Sequence, residues 1–143
     1  MAIYSRADRT SNITIANACY EIRTTATDRP RVMEIGISLV TAAATVIGIG
    51  RSGAGLGATP SGGGTVLAED TGDPAGTVIT ATAWVTPPTV PANHFRRWSF
   101  PATIGAGVIL TFPRGLVIPV SNSIVLWNIL GGATLDVHVV IDE

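Results

Sequence analysis

The chain is short of charge. Asp, Glu and Arg together make up 13% of its 143 residues, against roughly 25% in ordinary soluble domains. Lysine is missing altogether, so all nine basic residues are arginine, and the formal net charge is −1. That balance excludes a general nucleic-acid binder, which carries a clear basic excess. The single cysteine, Cys19, excludes an internal disulfide. No motif surrounds it, so its expected role is a small buried hydrophobe rather than a nucleophile. Also lacking is an apolar run fit to cross a membrane. The uncharged residues 35–50 are shorter than the roughly 20 needed to span. Residues 115–135 are cut into strand-length pieces by Pro119, Ser121-Asn122-Ser123 and Gly131-Gly132. The opening residues, MAIYSRADRTSN, mix both signs of charge and lack the apolar core of a signal peptide.

Helical periodicity is missing too; β-branched runs of period two recur instead. Strands are predicted at 18–25, 31–41, 44–50, 77–85, 94–100, 107–112, 116–120, 124–130 and 134–141. In the second, Met33, Ile35, Ile37 and Leu39 share the buried face. In the last, Leu135, Val137, Val139 and Ile141 do so. Gly131-Gly132 marks a hairpin between the final two. Residues 1–17 read as an extended N-terminal arm, and 18–143 as one domain of a size typical for globular units. Within it, residues 51–76 hold eight of the sixteen glycines with Pro60 and Pro74, a long Gly-rich loop. Many short strands spaced by Gly and Pro turns make an all-β fold. The expected form is an eight-stranded antiparallel jelly roll or β-sandwich; the immunoglobulin Cys–Trp–Cys pattern is absent.

Candidate chemistry is thin. Gly48-Ile49-Gly50-Arg51-Ser52-Gly53 matches the dinucleotide fingerprint, but the Gly- and Pro-rich continuation opens no helix to hold a pyrophosphate. Glu69, Asp70 and Asp73 lack a calcium-loop spacing. Asp136 and His138 share a strand face without a serine elbow to orient. Two histidines and one cysteine fall short of a zinc set. No catalytic, metal or cofactor site is therefore expected. His94-Phe95-Arg96-Arg97-Trp98-Ser99-Phe100 interleaves cations and rings. It is read as an amphipathic strand whose arginine stems cover apolar surface at an interface, rather than as a single-strand nucleic-acid platform. Arg6 and Arg9, followed by Arg23, Arg29 and Arg31 with Asp8, Glu21 and Asp28 interspersed, suit salt-bridged docking on a partner.

A chain so poor in charge either hides surface against partners or risks aggregating, because a monomer needs hydrated charge to stay dispersed. Arginine is also the cation favoured inside interfaces. The C-terminal half, "HFRRWSFPA" and then "GVILTFPRGLVIPVSNSIVLWNILGGATLDVHVVIDE", resembles small jelly-roll capsid decoration (cement) proteins of tailed bacteriophages. The resemblance covers about a third of the chain and rests on a strand, a "FPRGLVIP" turn, "SIVLWNI", a Gly-Gly hairpin and a terminal strand. It implies a non-enzymatic structural virion protein, made in the host bacterial cytoplasm and seated on the capsid exterior. Such a protein oligomerises, typically as a homotrimer, and stabilises the phage head by bridging subunits of the major capsid protein, with no nucleic acid and no membrane among its partners. Candidate interface residues are Arg6, Arg9, Arg96, Arg97 and Trp98. An alternative is a receptor- or carbohydrate-binding β-sandwich module of a phage tail, with Trp84, Trp98 and Trp127 as a stacking platform.

Overall fold

A computed structural model describes residues 2–11, 14–25, 27–53, 56 and 58–143. Among them are thirteen strands and no helix: β1 (Ile3–Arg9), β2 (Asn17–Arg23), β3 (Arg31–Leu39), β4 (Thr45–Arg51), β5 (Ala58–Ser61), β6 (Gly64–Thr65), β7 (Leu67–Ala68), β8 (Ile79–Ala81), β9 (Ala83–Thr86), β10 (His94–Phe100), β11 (Gly107–Val117), β12 (Ser123–Leu130) and β13 (Leu135–Asp142). All pairings between them are antiparallel. One sheet runs β11-β3-β13-β1-β7 and a second β10-β4-β12-β2-β8-β6, while β5 and β9 form a separate ribbon. The all-β, antiparallel class read from the alternation is the class observed. The strand count exceeds eight because five short strands lie between β4 and β10.

The two large sheets face each other across one core. From the first come Tyr4 (β1), Val32, Ile35, Ile37 and Leu39 (β3), and Leu135, Val137, Val139 and Ile141 (β13). The second answers with Tyr20 and Ile22, Ile47 and Ile49, Ile124 and Leu126, and Phe100. Burial of a large aliphatic side chain is worth about 1.5–3 kcal/mol relative to exposure, so alternation on these strands supplies the main driving force. One expectation needs correcting. Met33 does not join Ile35, Ile37 and Leu39; the β13–β3 register shifts between Val140 and Ile141, so that Ile141 pairs with Val32 and Met33 bulges out. Val32 takes the buried place, as a bulge exchanges which residue faces inward.

A second correction concerns residues 1–17. Rather than a detached arm, Ile3–Arg9 is a full member of the first sheet, paired along its length with β13 and at Tyr4 and Ser5 with β7. Thr10 Nα donates to the Leu135 carbonyl and Leu135 Nα to Thr10 Oγ1, both at 2.9 Å, closing that end of the pair. The loop expected at 51–76 likewise contributes β5, β6 and β7; Ala54, Gly55 and Gly57 within it lie outside the described residues. Of residues 107–112 and 116–120, expected as two strands, 107–117 instead form the single strand β11, with a register shift between Thr111 and Leu116, and 118–120 lie beyond it. Gly115 occupies the left-handed region there (φ 64°), and a Cβ on it would lie 2.6 Å from that of Arg31.

Candidate functional site

The outer faces of the two sheets differ in kind. On the first sheet, Ala7, Arg9, Gly36, Ser38, Gly107, Ile109, Asp136 and His138 line a shallow trough of about 850 Å³. Its lining comes from β1, β3, β11 and β13, with Gly105 of the preceding loop. Small side chains make its floor, and Gly36 is required there. A Cβ at that position would stand 1.9 Å from the His138 ring, so the imidazole lies against bare backbone. The polar groups are matched within the trough. Arg9 donates from Nε and Nη2 to the two Asp136 carboxylate oxygens at 2.7 and 2.8 Å. His138 Nε2 lies 3.0 Å from Glu34 Oε1. The hydrogen bond from Arg9 holds the Asp136 carboxyl below its ordinary range. Asp136 and His138 thus share a face, as expected, but each is bonded to a different partner, and the arrangement offers contact surface rather than a poised nucleophile.

The second sheet's outer face is covered by its own chain. Ala18, Val125 and Trp127 form a second apolar cluster, packed under Trp84 of the β5–β9 ribbon and beside Ile129. Glu21, fully buried, points to this side and accepts a 2.7 Å hydrogen bond from Trp84 Nε1, with Arg23 Nη1 at 3.5 Å. A buried carboxylate is retained only when charge-assisted bonds replace its water. In the sequence Glu21 is one of the acids interspersed among the arginines; its place between an arginine two residues on and a tryptophan far along the chain has no short-range signal.

The candidate arginines divide into two groups. Arg6 is held at home: its Nε lies 2.9 Å from Asp8 Oδ1 and its Nη1 donates to the Thr65 carbonyl at 3.1 Å. Asp8 also accepts from Tyr20 Oη at 2.9 Å and Thr80 Oγ1 at 2.6 Å, so the network ties β1 to β2 and β8. Burial raises the Tyr20 hydroxyl above its ordinary range and keeps it a neutral donor. Arg9 is engaged by Asp136. Arg96 and Arg97, by contrast, are exposed on β10, an edge strand whose sole partner in the sheet is β4. Arg96 Nη1 donates to the neighbouring Phe95 carbonyl at 2.8 Å. Trp98 pairs with Ile47, and its half-buried ring packs on the core. An edge strand carrying arginines is guarded against indiscriminate pairing yet open to an acidic partner.

Beside this edge, Arg51 sets its guanidinium 5.4 Å from the Phe95 ring centroid and donates from Nη2 to the Val117 carbonyl at 2.9 Å. His94, on the same edge, rests against Gly48, where a Cβ would come within 2.3 Å of the ring. Its pKa is lowered by burial and then by Arg97. The glycines of the fingerprint-like segment therefore serve the β4–β10 pairing, with Gly50 pressed by Pro91 and Asn93. Asp70 Oδ1 accepts from Gly72 Nα at 2.8 Å, a local turn within the acidic segment. Among the described residues no group of three or more His, Cys, Asp or Glu is placed to share a metal ion. No helix there is long and apolar enough to cross a membrane. Comparison with known protein families, with curated proteins and with solved structures found no match.

Proposed function

We propose that the chain is a structural virion protein without enzymatic activity, a capsid decoration or cement protein that oligomerises and bridges subunits of the major capsid protein on the head exterior. We read β11-β3-β13-β1 and β10-β4-β12-β2 as the facing sheets of an eight-stranded jelly roll, with β5 to β9 inserted between its fourth and fifth strands. Double-sheet jelly rolls recur in viral capsid and lectin domains. The observation that carries the reading is the asymmetry of the sandwich. One outer face is roofed by the β5–β9 ribbon, while the other is bare, shallow and floored by small residues, with its charges paired among themselves.

Such a face suits broad contact with a shell: its charged groups need no further partner, and Ile109, 64% exposed, offers apolar area at its edge. Arg96 and Arg97 supply ionic contacts from the neighbouring sheet edge; Arg6 and Arg9 are withdrawn from that role by Asp8 and Asp136. The alternative tail module lacks support in the tryptophans. Trp127 is 8% exposed under Trp84, Trp84 is bonded to Glu21, and Trp98 packs on the core. Co-sedimentation with empty phage shells tests the proposal. The wild-type chain should pellet with shells and Ile109→Asp should stay in the supernatant; a wild-type chain that binds no shell would sink the reading.

A further inference from the structure

Apart from β4 and β10, which share a sheet, consecutive long strands alternate between the sheets, and the register places the connections β1–β2, β3–β4, β10–β11 and β12–β13 at one end of the sandwich. Their described residues, 10–11, 14–16, 40–44, 101–106 and 131–134, include no Asp, Glu, Arg or His. The opposite end, by contrast, bears Asp28, Arg29, Glu69, Asp70, Asp73 and Glu143. The charged groups nearest the neutral end, Arg9 and Asp136, neutralise each other. Three different loops or strand ends there expose large aliphatic side chains: Ile15 at 52%, Ile104 at 67% and Leu130 at 58%.

These loops are laced together. Leu39 Nα donates to the Ala106 carbonyl and Gly105 Nα to the Leu39 carbonyl, both at 2.9 Å; Val40 Nα donates to the Thr134 carbonyl at 2.8 Å. Thr134 Nα in turn donates to Thr41 Oγ1 at 2.9 Å. A surface already held by such bonds loses little freedom on association. Exposed aliphatic groups grouped on an ordered surface mark an interaction site.

We infer that this charge-free end is where copies of the chain meet one another around a rotational axis. Near such an axis each residue approaches its own symmetry mates. Any charge there would face like charge, whereas an end without ionisable groups meets itself without repulsion. A charged partner would leave its own ions desolvated and unpaired against these loops, so the chemically matching occupant is the same end of another copy. The inference rests on the self-association in the proposed function and not on the capsid as partner.

The test is the solution mass of the full chain by sedimentation equilibrium, over a range of salt. The wild-type chain should be oligomeric, and more salt should not dissociate it, because screening weakens ion pairs and leaves apolar burial intact. Ile104→Arg and, separately, Ile104→Glu should each shift the mass to that of a monomer with an unchanged β-sheet circular dichroism spectrum. Mixing these two variants should restore the oligomer, since opposite charges then meet across the axis. Val120→Arg, at the charged end, should leave the mass unchanged. A monomeric wild type, charge variants that keep the wild-type mass, or a mixture that stays monomeric would each overturn the assignment, whatever the outcome of shell binding.

Discussion

Glu21 shows how a single ionisable group is kept inside a β-sandwich. Its carboxylate has no exposure and receives the Trp84 indole at 2.7 Å. Trp84→Phe keeps most of the ring's packing but removes that donor. Hydrogen bonds to charged groups contribute about 1.5–3 kcal/mol, so denaturant unfolding should show a loss of about 2 kcal/mol. Adding Glu21→Gln should make the second change less costly than it is alone, and a double-mutant cycle reads that coupling. His94 works in the opposite sense. Its folded pKa lies below the unfolded value of about 6.5, through burial first and Arg97 second. Below that pH the unfolded chain takes up a proton that the folded chain refuses, so stability falls as pH drops from about 6.5 toward the lowered folded pKa. His94→Asn should flatten this slope in unfolding midpoints measured between pH 5 and 8; an unaltered slope would assign it to other groups. Burial also pushes the Cys19 thiol up to about 12 and holds it against the Leu126 carbonyl, consistent with a thiol used for packing.

Among the elements, β1 changes what a truncation should do. Tyr4 is 3% exposed in the shared core, and β13 depends on β1 for a whole edge of backbone bonds. Deleting residues 1–10 should therefore unfold the domain, seen as loss of the cooperative thermal transition, instead of yielding an intact fold without a tether. The β12–β13 turn is equally constrained. Gly131 has φ 94°, and a Cβ on it would lie 2.1 Å from the Ala44 carbonyl oxygen. Gly131→Ala should cost more than about 1 kcal/mol in chemical denaturation, because the backbone of the β3–β4 loop must shift to admit it. Strands β3 and β13 were legible because one face is apolar and the other is not, β12 because it is apolar on both faces, and β10 by its cations interleaved with rings. β1 was obscure for a physical reason: Tyr4, Arg6 and Asp8 alternate on one side, and the inward charges are tolerated only because Arg6, Tyr20 and Thr80 converge on Asp8. Strands β5, β6 and β7, four or two residues long, are too short to show a period. Arg96 and Arg97 were found by their interleaving with aromatics, but the partners of Arg6 and Arg9 depend on register, which composition does not encode. The neutral stretches are visible along the chain; their meeting at one end depends on strands alternating between sheets.

For the molecule as a whole, the first and last strands are neighbours in one sheet, with β13 lying between β3 and β1. The first sheet is incomplete until the last residues are in place, and such non-local pairing places folding in the range of about milliseconds to seconds. Stopped-flow refolding should show this slow phase. A circular permutant that joins the termini by a short linker and opens at the exposed Thr71 should pair β1 with β13 locally and refold faster, with little change in thermal midpoint.

Ala2 Nα donates to the Glu143 carbonyl at 3.3 Å, and Glu143 Nα donates back to that of Ala2 at 3.1 Å. Thr77 bonds the Glu143 carboxylate from both its backbone nitrogen and its hydroxyl. Ala2 and Glu143 thus lie at one spot, at the end of the sandwich opposite Ile104 and Leu130. A passenger domain fused beside Ala2 or Glu143 would ride on the rim opposite those loops, so cargo could be added at two neighbouring addresses while the charge-free end stays uncovered.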